Sequence, residues 1–472
     1  MFFRKRAGGR YALGSFSSGN IMEETICACA TAPGNAGIAI IRLSGPKSLE
    51  ILGRIFKKKS EGFTPRYMYL GDVVSEGELI DRALAVYFKA PNSYTGEDVC
   101  ELHLHGGMMS QKLTLRALIK EGASPALPGE FSKRAFLNGK MDVSQAEAVG
   151  SLISSLSEGG ARASALQLKG SLREKIEKLC YRLTDCIAAI EAGIEYPEED
   201  IEESLAQEQL PELEDICAQL DELIASYDRG RILREGAQIA IAGLPNVGKS
   251  SLLNRILGED RAIVTPVAGT TRDVIAEYCD LGGVPVRFID TAGIRETDDM
   301  VEHIGVERSL EAIKSSALVL MLFDAARGVT QEDVNTLEHI KSAGVPYIAV
   351  INKTDAGDIT DEVSALLGDT PLQISAKTGE NVDKLLSEIR GAICADDSTA
   401  QGITITSERH YKLLTQARQS LKDAIDQIGM GVDLDCMSID LRDAWQSLGS
   451  ITGEALTEDI VDRIFSKFCL GK

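Results

Sequence analysis

The sequence has too few basic residues to attract nucleic acid over a broad surface. It holds 50 lysine and arginine residues against 71 aspartate and glutamate residues, a formal net charge of −21 at pH 7. An acidic surplus of this size keeps a chain in solution but does not draw it to phosphate backbones. Any contact with RNA must therefore come from a local patch or from a partner protein.

Paired cysteines and long apolar segments are also missing. The 10 cysteines are scattered without C-x-x-C spacing, which argues against a zinc site and a disulfide framework. No apolar run approaches the length that crosses a bilayer. These absences predict a soluble protein of the reducing cytoplasm with no membrane partner. A chain of 472 residues, 44% of them hydrophobic, should form two to four domains with buried cores.

A phosphate-binding loop is present near the middle of the chain. The segment from Gly243 to Ser251 fits G-x-x-x-x-G-K-[ST], between an apolar run at 238–242 and a second one at 252–257. This order of strand, loop and helix lets backbone N–H groups surround a phosphate at a helix N-terminus. We expect Lys249 to reach the outer phosphates and the Ser250 hydroxyl to ligate Mg²⁺.

Three further motifs follow, each at the end of an apolar strand. Asp290 begins D-T-A-G, which can hold the Mg²⁺ shell and meet the γ-phosphate. Asp355 ends N-K-T-D, where a carboxylate can accept from the guanine N1–H and amino group, and Ser375 begins S-A-K, which supports the base. Four ordered motifs predict a Ras-like GTPase domain. The predicted nucleotide contacts are Asn246, Val247, Gly248, Lys249, Ser250, Ser251, Thr265, Pro266, Val267, Ala268, Gly269, Thr270, Thr271, Asp290, Thr291, Ala292, Gly293, Asn352, Lys353, Thr354, Asp355, Ser375, Ala376 and Lys377.

The group that orients the attacking water is not evident from spacing. Many small GTPases carry a glutamine directly after D-x-x-G, but this chain has Ile294, which cannot hydrogen-bond water. Thr271 is the natural second hydroxyl ligand for Mg²⁺. Asn246 offers an oxygen that could hold a monovalent cation in place of a missing arginine. The polar candidates that spacing leaves open are Arg272, Arg295, Glu296, Asp298, Asp299 and Glu302.

The regions on either side of the GTPase motifs have different secondary-structure patterns from the GTPase region and from each other. Strands and helices between residues 24 and 121 indicate a compact α+β domain. Apolar residues then step by three or four, from Leu172 to Ile194 and from Leu210 to Leu223, and helical stripes resume after residue 400. The GTPase domain therefore appears as an insertion into a helical domain. The predicted N-terminal α+β domain spans residues 22–139 and the GTPase domain spans 236–395. The two parts of the helical domain are 140–235 and 396–472.

Two local features have competing interpretations. Glu101, His103 and His105 alternate, so they should share one face of a strand, but without a nearby fourth ligand a metal site is disfavoured. Residues 1–21 are basic, rich in Gly and Ser and, up to residue 20, free of acidic residues, as in organelle transit peptides. A misassigned start or a disordered tail is favoured, because Met22 opens the first regular segment.

The motifs resemble those of the bacterial tRNA-modification GTPase family MnmE, also called TrmE. The similarity extends from about residue 22 to the C-terminus. It is carried by G-L-P-N-V-G-K-S-S-L-L-N, A-G-T-T-R-D, D-T-A-G-I-R-E, P-N-S-Y-T-G-E-D, H-G-G, P-G-E-F-S, R-A-F-L-N-G-K and the terminal F-C-L-G-K. The family often has Arg-Gly after Pro-Gly, where this chain has Asn35 and Ala36.

The resemblance implies a set of ligands and partners. It implies an N-terminal domain that dimerises and binds a tetrahydrofolate derivative in the 5-formyl or methylene form, with contacts at Arg42, Glu101, Lys140 and Lys472. It implies Mg²⁺ at Ser250 and Thr271, K⁺ at Asn246, Thr265, Val267 and Thr270, and a catalytic carboxylate at Glu302. The implied partner is the flavoprotein MnmG (GidA), in a heterotetramer that adds a carboxymethylaminomethyl-type group to the wobble uridine of certain tRNAs.

A second function class is a regulatory GTP switch that binds RNA or a ribosomal partner without folate chemistry. The folate-type N-terminal domain distinguishes the two, because an assembly switch has no need of it. Saturable binding of a reduced folate is the observation that would favour the enzyme.

Overall fold

The computed structural model describes residues 24–195, 201–258, 262–263, 278–290, 311–358, 360–367, 370–393, 402–430, 434–454, 456–469 and 471. The chain divides into two compact units. One consists of residues 1–150, 167–217 and 416–472, and the other of 151–166 and 218–415. The three-domain boundaries proposed from the sequence stay a prediction.

A seven-stranded sheet forms the first part of the first unit. Its strand order is β3-β4-β5-β6-β2-β1-β7, and every pairing is antiparallel except that of β1 with β7. This is the α+β arrangement that the sequence predicts. The elements are β1 (Ile26–Cys29), β2 (Ala36–Ser44), α1 (Ser48–Ile55), β3 (Phe56–Lys57), β4 (Tyr69–Ser75), β5 (Glu78–Phe88), β6 (Val99–Gly106), α2 (Met108–Lys120) and β7 (Ser124–Pro125).

The two faces of this sheet are covered unequally. Along β2, Ala39, Ile41 and Leu43 are buried, and Ile41 and Leu43 belong to a core that also contains apolar side chains of α1 and α2. The alternating residue Ile38 is 62% exposed, and Leu84 on β5 is 38% exposed. Because successive side chains of a strand point to opposite faces, the second face of the sheet is open at these positions. At β1 the same face is covered, because Ile26 and Ala28 are buried against Phe131.

Helices make up the rest of the first unit and connect the units in sequence. The stripe predicted from Leu172 to Ile194 lies on α6, where Leu179, Leu183 and Ile190 are buried, and α6 packs against α14. The predicted helical pattern is therefore confirmed. These helices are α3 (Glu130–Leu137), α4 (Val143–Ile153), α5 (Glu158–Lys169), α6 (Ser171–Glu195), α7 (Ile201–Ala225), α13 (Glu408–Met430), α14 (Leu434–Thr452) and α15 (Glu458–Phe465).

A buried arginine fixes α3 to the N-terminal sheet domain. The Arg134 side chain is 1% exposed, and its guanidinium donates to Glu130 Oε1 at 2.8 Å, to Glu97 Oε2 at 3.2 Å and to the Glu24 carbonyl at 2.8 Å. Removing one partner of a buried ion pair typically costs about 3–5 kcal/mol, because the other charge stays desolvated. This network therefore holds the loop before β6 and the backbone at Glu24 to α3.

A second seven-stranded sheet organises the second unit. Its order is β14-β13-β12-β8-β11-β10-β9, with parallel pairing from β14 to β11 and antiparallel pairing of β10 with both β9 and β11. The predicted hairpin across Gly282 and Gly283 is present, although its residues 274–277 lie outside the described part. The elements are α8 (Tyr227–Glu235), β8 (Ala237–Ala242), α9 (Lys249–Leu257), β9 (Ala262–Ile263), β10 (Tyr278–Asp280), β11 (Pro285–Asp290), β12 (Leu318–Asp324), α10 (Gln331–Ala343), β13 (Tyr347–Asn352), α11 (Thr360–Leu367), β14 (Leu372–Gln373) and α12 (Val382–Ile393).

Both faces of this second sheet are covered. All seven residues of β12 are buried. Leu320 and Leu322 belong to the core on one face, and Met321 and Phe323 belong to the core on the other. A strand buried on two faces loses the alternation of apolar and polar residues and becomes a continuous apolar run. The predicted fold class, an α+β domain with helical regions and a P-loop GTPase domain, is confirmed.

The described part of the chain has neither a disulfide nor a membrane-crossing helix. Its nine cysteines form no disulfide bond, and burial raises the pKa of the Cys27 thiol to about 11. Among the helices that the structure describes, none combines the length and apolar character needed to span a bilayer.

Candidate functional site

The phosphate loop connects β8 to α9 in a conformation that only its glycines allow. Gly243 and Gly248 have φ of +140° and +98°. A β-carbon on Gly248 would lie 2.3 Å from Asn352 Nδ2, so glycine is required for space as well as for backbone angle. The Lys249 side chain is buried, and its ammonium donates to the carbonyls of Gly243 at 2.7 Å and Leu244 at 3.0 Å. The loop is thus closed around its lysine at a helix N-terminus, as phosphate binding requires.

One asparagine joins three of the four predicted motifs. Asn352 is 1% exposed at the end of β13. Its Nδ2 donates to the Val247 carbonyl of the phosphate loop at 2.8 Å, and its Oδ1 accepts from the Ala376 N–H at 3.0 Å. A buried amide with both ends satisfied holds its neighbours in one geometry. The sequence placed these motifs at strand ends, and the structure brings them together.

The predicted base-selecting carboxylate is oriented by a buried serine. Ser375 Oγ donates to Asp355 Oδ1 at 2.9 Å and accepts from the Thr378 N–H at 3.2 Å. Ser375 is fully buried, while Asp355 is exposed. The carboxylate therefore faces solvent in a fixed orientation, where it can accept hydrogen bonds from a guanine edge. Thr354 and Lys377 lie beside it, in the two loops that form this wall.

Sequence reasoning missed a charged residue beside this wall. Asp324 ends β12, and its Oδ2 lies 2.6 Å from Lys353 Nζ. Lys353 also donates to the Asn246 carbonyl of the phosphate loop at 2.7 Å. The only available signal was an acidic residue that closes a long apolar run at a strand end.

The structure describes only some of the residues predicted to bind magnesium and potassium or to take part in catalysis. Ser250 and Ser251 are exposed in the first turn of α9, and the Asp290 backbone is paired with Ile241, two residues before the phosphate loop. The remaining predicted residues lie outside the described part, and their roles stay predictions. They are Thr265, Pro266, Val267, Ala268, Gly269, Thr270, Thr271, Thr291, Ala292, Gly293 and Glu302.

Two of the four folate candidates meet on the N-terminal sheet. Arg42 and Glu101 are cross-strand partners on β2 and β6, and Arg42 Nε lies 2.9 Å from Glu101 Oε1. The guanidinium lies 5.1 Å from the Tyr94 ring centre and 5.7 Å from that of Phe131. Burial raises the pKa of Glu101, but hydrogen bonds and charge from His103 and Arg42 outweigh it and lower the pKa overall.

The other two folate candidates occupy loop positions. Lys140 is exposed, and its N–H donates to the Ala135 carbonyl at the end of α3. Lys472 lies outside the described residues. Its neighbour Gly471 is buried so closely against β1 that a β-carbon there would lie 2.1 Å from the Cys29 carbonyl oxygen. The end of the chain therefore packs on the same domain as Arg42 and Glu101.

The alternating row on β6 divides into two carboxylate–imidazole pairs. His103 Nε2 lies 3.5 Å from Glu101 Oε2, and His105 Nδ1 lies 2.7 Å from Asp81 Oδ1. Over the residues that the structure describes, no group of three or more His, Cys, Asp or Glu side chains is arranged to hold a metal. The metal interpretation that the sequence disfavoured gains no support.

Comparisons with known proteins cover nearly the whole chain. The family model described as "GTP-binding protein TrmE N-terminus" matches residues 25–140, and the "MnmE helical domain" model matches residues 143–469. A tRNA modification GTPase MnmE of Caldicellulosiruptor saccharolyticus is 43% identical over 95% of this chain and 99% of its own length. The Clostridioides difficile protein of the same name is 41% identical over 96% of this chain and all of its own.

Solved structures match a smaller part. A variant of Era from Aquifex aeolicus bound to GDP and AlF4⁻ is 29% identical, covering 39% of this chain and 66% of its own, with a TM-score of 0.28. Family membership therefore rests on the family models and on the full-length relatives.

Proposed function

The chain belongs to the MnmE (TrmE) family of tRNA-modification GTPases, and on that premise we propose that it hydrolyses GTP in a potassium-activated, dimerisation-dependent reaction coupled to wobble-uridine modification. The observation that carries the GTPase function is the convergence of three motifs on Asn352, next to an oriented Asp355. GTP is cleaved to GDP and phosphate. In this proposal the protein acts on tRNA with a flavoprotein partner of the MnmG type and uses a tetrahydrofolate one-carbon donor.

The phosphate loop fits a magnesium-bound nucleotide. Lys249 presents a buried ammonium, and the Ser250 hydroxyl stands in the first turn of α9. Magnesium held by Ser250 and Thr271 would neutralise charge on the phosphates. Lys249 would bind the outer phosphates, and Asp355 would select guanine. Each of these roles uses preorganised groups and needs no covalent step.

Potassium would supply the positive charge at the phosphates that an arginine supplies in other GTPases. Asn246 is exposed on the phosphate loop and has a φ of +68°, with its carbonyl fixed by Lys353. An amide oxygen in this position suits a weakly hydrated monovalent cation. We assign the remaining ligands to Thr265, Val267 and Thr270, and the water-orienting carboxylate to Glu302, on the family resemblance.

The N-terminal domain is proposed to bind the folate. A reduced folate has a flat donor-rich pteridine edge, an aromatic ring and terminal carboxylates. The carboxylate of Glu101, the rings of Tyr94 and Phe131 and the cation of Arg42 lie together and match those three chemistries. Lys140 and Lys472 would hold the terminal carboxylates. The bound tetrahydrofolate derivative would supply the one-carbon unit.

Dimerisation is proposed to use the open face of the N-terminal sheet. Tyr67, Met68, Leu70 and Leu84 are between 38% and 59% exposed, and together they border a cavity of about 570 Å³. Exposed contiguous apolar surface of this kind favours a protein partner. Leu70 and Leu84 are cross-strand partners, so the apolar surface continues from β4 to β5. A second copy of the chain is the occupant we propose.

The coupling to tRNA is tested with the nucleosides of a deletion strain. Mass analysis should find wobble uridines without the carboxymethylaminomethyl-type group, and the native gene should restore it. Unaltered nucleosides in the deletion strain would contradict the proposed modification. Co-sedimentation with ribosomes, without saturable binding of a reduced folate, would favour a regulatory switch.

The hydrolysis mechanism is tested with two variants and two salts. The native protein should turn over GTP faster in potassium than in sodium, and its activity per molecule should rise with protein concentration. Glu302→Ala should keep nucleotide affinity and potassium-driven dimerisation but lose hydrolysis. Asn246→Ala should lose the potassium response itself. Equal rates in the two salts, or normal turnover of Glu302→Ala, would overturn the mechanism.

A further inference from the structure

Asp324 is a buried carboxylate at the end of an otherwise apolar strand. It is 7% exposed, and the six residues before it on β12 are buried apolar side chains. A charge in such a place is costly unless it is paired and hydrogen-bonded. Its partners therefore explain why the charge is tolerated there.

Both carboxylate oxygens of Asp324 have hydrogen-bond partners. Oδ2 lies 2.6 Å from Lys353 Nζ, and Oδ1 accepts from the Ala326 N–H at 3.0 Å. Burial raises the pKa of Asp324, but the hydrogen bonds from Lys353 and Ala326 outweigh it and lower the pKa overall. The group is therefore a carboxylate at neutral pH.

The Lys353 ammonium continues this chain of contacts to the phosphate loop. Besides Asp324, it donates to the Asn246 carbonyl at 2.7 Å. Lys353 and Asn246 have φ of +66° and +68°, in the left-handed region that residues with a β-carbon rarely adopt. Two residues in strained conformations are thus tied to each other and, through the ammonium, to the rigid end of β12.

We propose that Asp324 is a positioning residue for nucleotide binding. By holding the Lys353 ammonium against the Asn246 carbonyl, it fixes the distance between the N-K-T-D loop, which contains Lys353, and the phosphate loop. The proposal rests on guanine nucleotide binding, and it is independent of potassium, folate and the flavoprotein partner. Asp324 acts through Lys353 and contacts no ligand itself.

Asp333 provides a matched comparison in the same unit. It is also a buried carboxylate, and it is paired with Arg327 at 3.3 Å. Its side chain instead forms a capping box with Thr330 at the start of α10. Loss of the Asp333 charge should therefore affect the stability of the fold, whereas loss of the Asp324 charge should affect the nucleotide.

The test measures release of a fluorescent GDP analogue from the full-length protein, with thermal unfolding of the same samples. Asp324→Asn should release the analogue about tenfold faster, which corresponds to about 1.4 kcal/mol. Asp324→Glu, which keeps the charge, should stay closer to the native rate. Asp333→Asn should lower the unfolding temperature and leave release unchanged. Native release in Asp324→Asn, or equal acceleration in Asp333→Asn, would overturn the proposal.

A double-mutant cycle with Lys353→Met tests whether Asp324 acts through the lysine. In the Lys353→Met background, Asp324→Asn should accelerate release by no further factor, because the two residues form one contact chain. Additive effects would contradict the proposal. If Asp324→Asn does not fold, Lys353→Met alone decides: native release in that variant also contradicts it. A native protein that holds no GDP would instead contradict the proposed GTP hydrolysis.

Discussion

The two seven-stranded sheets of this protein use their surfaces in opposite ways. The GTPase sheet is mostly parallel and covered on both faces, so its candidate site lies at the strand ends. The N-terminal sheet is mostly antiparallel and partly open on one face, and its candidate site includes Arg42 and Glu101 on facing strands. The difference indicates that a fully covered sheet binds through loops and backbone groups, whereas a half-covered sheet binds through side chains on its face.

This contrast extends to the kind of residue that each site depends on. In the nucleotide site, glycine, buried lysine and buried asparagine shape the backbone, and Gly248 is in contact range of Asn352. In the N-terminal site, a paired cation and carboxylate lie 15% exposed beside two aromatic rings. Substitutions that change backbone space should therefore be most harmful in the first site, and substitutions that change charge should be most harmful in the second.

The largest effect is expected from Gly248→Ala. Its φ of +98° disfavours alanine, and the new β-carbon would displace Asn352 from its two hydrogen bonds. Strain and lost hydrogen bonds together should weaken GDP binding by about 1,000-fold. Isothermal titration calorimetry measures this loss.

The control for this prediction lies in the N-terminal domain. Gly53 is exposed within α1, and a β-carbon there meets no atom within 4 Å. Gly53→Ala should leave GDP binding unchanged and stabilise the fold by about 0.5–1 kcal/mol. Similar GDP affinities of Gly248→Ala and Gly53→Ala would show that the space around Gly248 is not critical for nucleotide binding.

Asp355→Asn should shift preference from GTP toward xanthosine triphosphate by about 100-fold. The new amide can donate to the xanthine 2-oxo group where the carboxylate accepts from guanine, and hydrogen bonds to charged groups are worth about 1.5–3 kcal/mol. Competition between the two nucleotides for a fluorescent analogue measures the shift. Retained GTP selectivity would show that Asp355 is not the selector.

In the open sheet, Glu101→Gln should weaken reduced-folate binding by about 30-fold and leave GTP hydrolysis unchanged. The substitution removes the charge that faces Arg42 and His103. Asp72→Asn is the control, because Asp72 forms an exposed pair with Arg82 at 3.9 Å, and exposed pairs contribute little. Equal folate affinity in native protein and Glu101→Gln would exclude this face as the folate site.

The pH dependence of folate binding follows from the lowered pKa of Glu101. A carboxyl whose pKa is lower in the folded protein keeps its charge above its ordinary value, and its contribution is lost as the pH falls through the folded value. Folate binding through Glu101 should therefore be constant from pH 8 to about pH 5, as fluorescence titration can measure. A loss of affinity already between pH 7 and pH 6 would point to a histidine instead.

The smallest effect is expected at the apolar part of the open face. Leu84→Ser removes an apolar side chain that is 38% exposed and should weaken dimerisation about fivefold, the loss of roughly 1 kcal/mol of burial. Leu166→Ser, at a 44% exposed position on α5, should leave dimerisation unchanged. Sedimentation equilibrium measures both constants. A stronger effect at Leu166 would move the interface away from the sheet.

The alternation of apolar and polar residues was informative in the N-terminal sheet and uninformative along β12. Along β2 and β6 the alternation of apolar and polar residues identified strands and placed Glu101, His103 and His105 on one face. Along β12 the pattern could not distinguish a strand from a buried helix, because burial on both faces makes Leu318 to Phe323 continuously apolar. This strand, which lies beside the central β8, and Asp324 at its end were therefore not predicted.

Pairing partners from distant parts of the chain were also beyond local reasoning. Asp81, 24 residues before His105, fixes its ring, and Arg134 is buried with partners from its own helix and from two other segments. A buried arginine is rare unless it is paired, and the residues next to Arg134 in the sequence do not predict that pairing. The predicted roles of Thr271, Glu302 and Lys472 fall outside the described residues and stay predictions.

The sequence by itself determined the order of the nucleotide motifs, the nucleotide class and the helical stripes, because these depend on residue types at fixed short spacings. Only the tertiary structure decided that Asn352 joins three motifs, that Asp324 pairs with Lys353 and that part of one face of the N-terminal sheet stays open. Those features depend on which strands become neighbours. Neighbouring strands are chosen by the burial of the whole sheet, a property that no single segment contains.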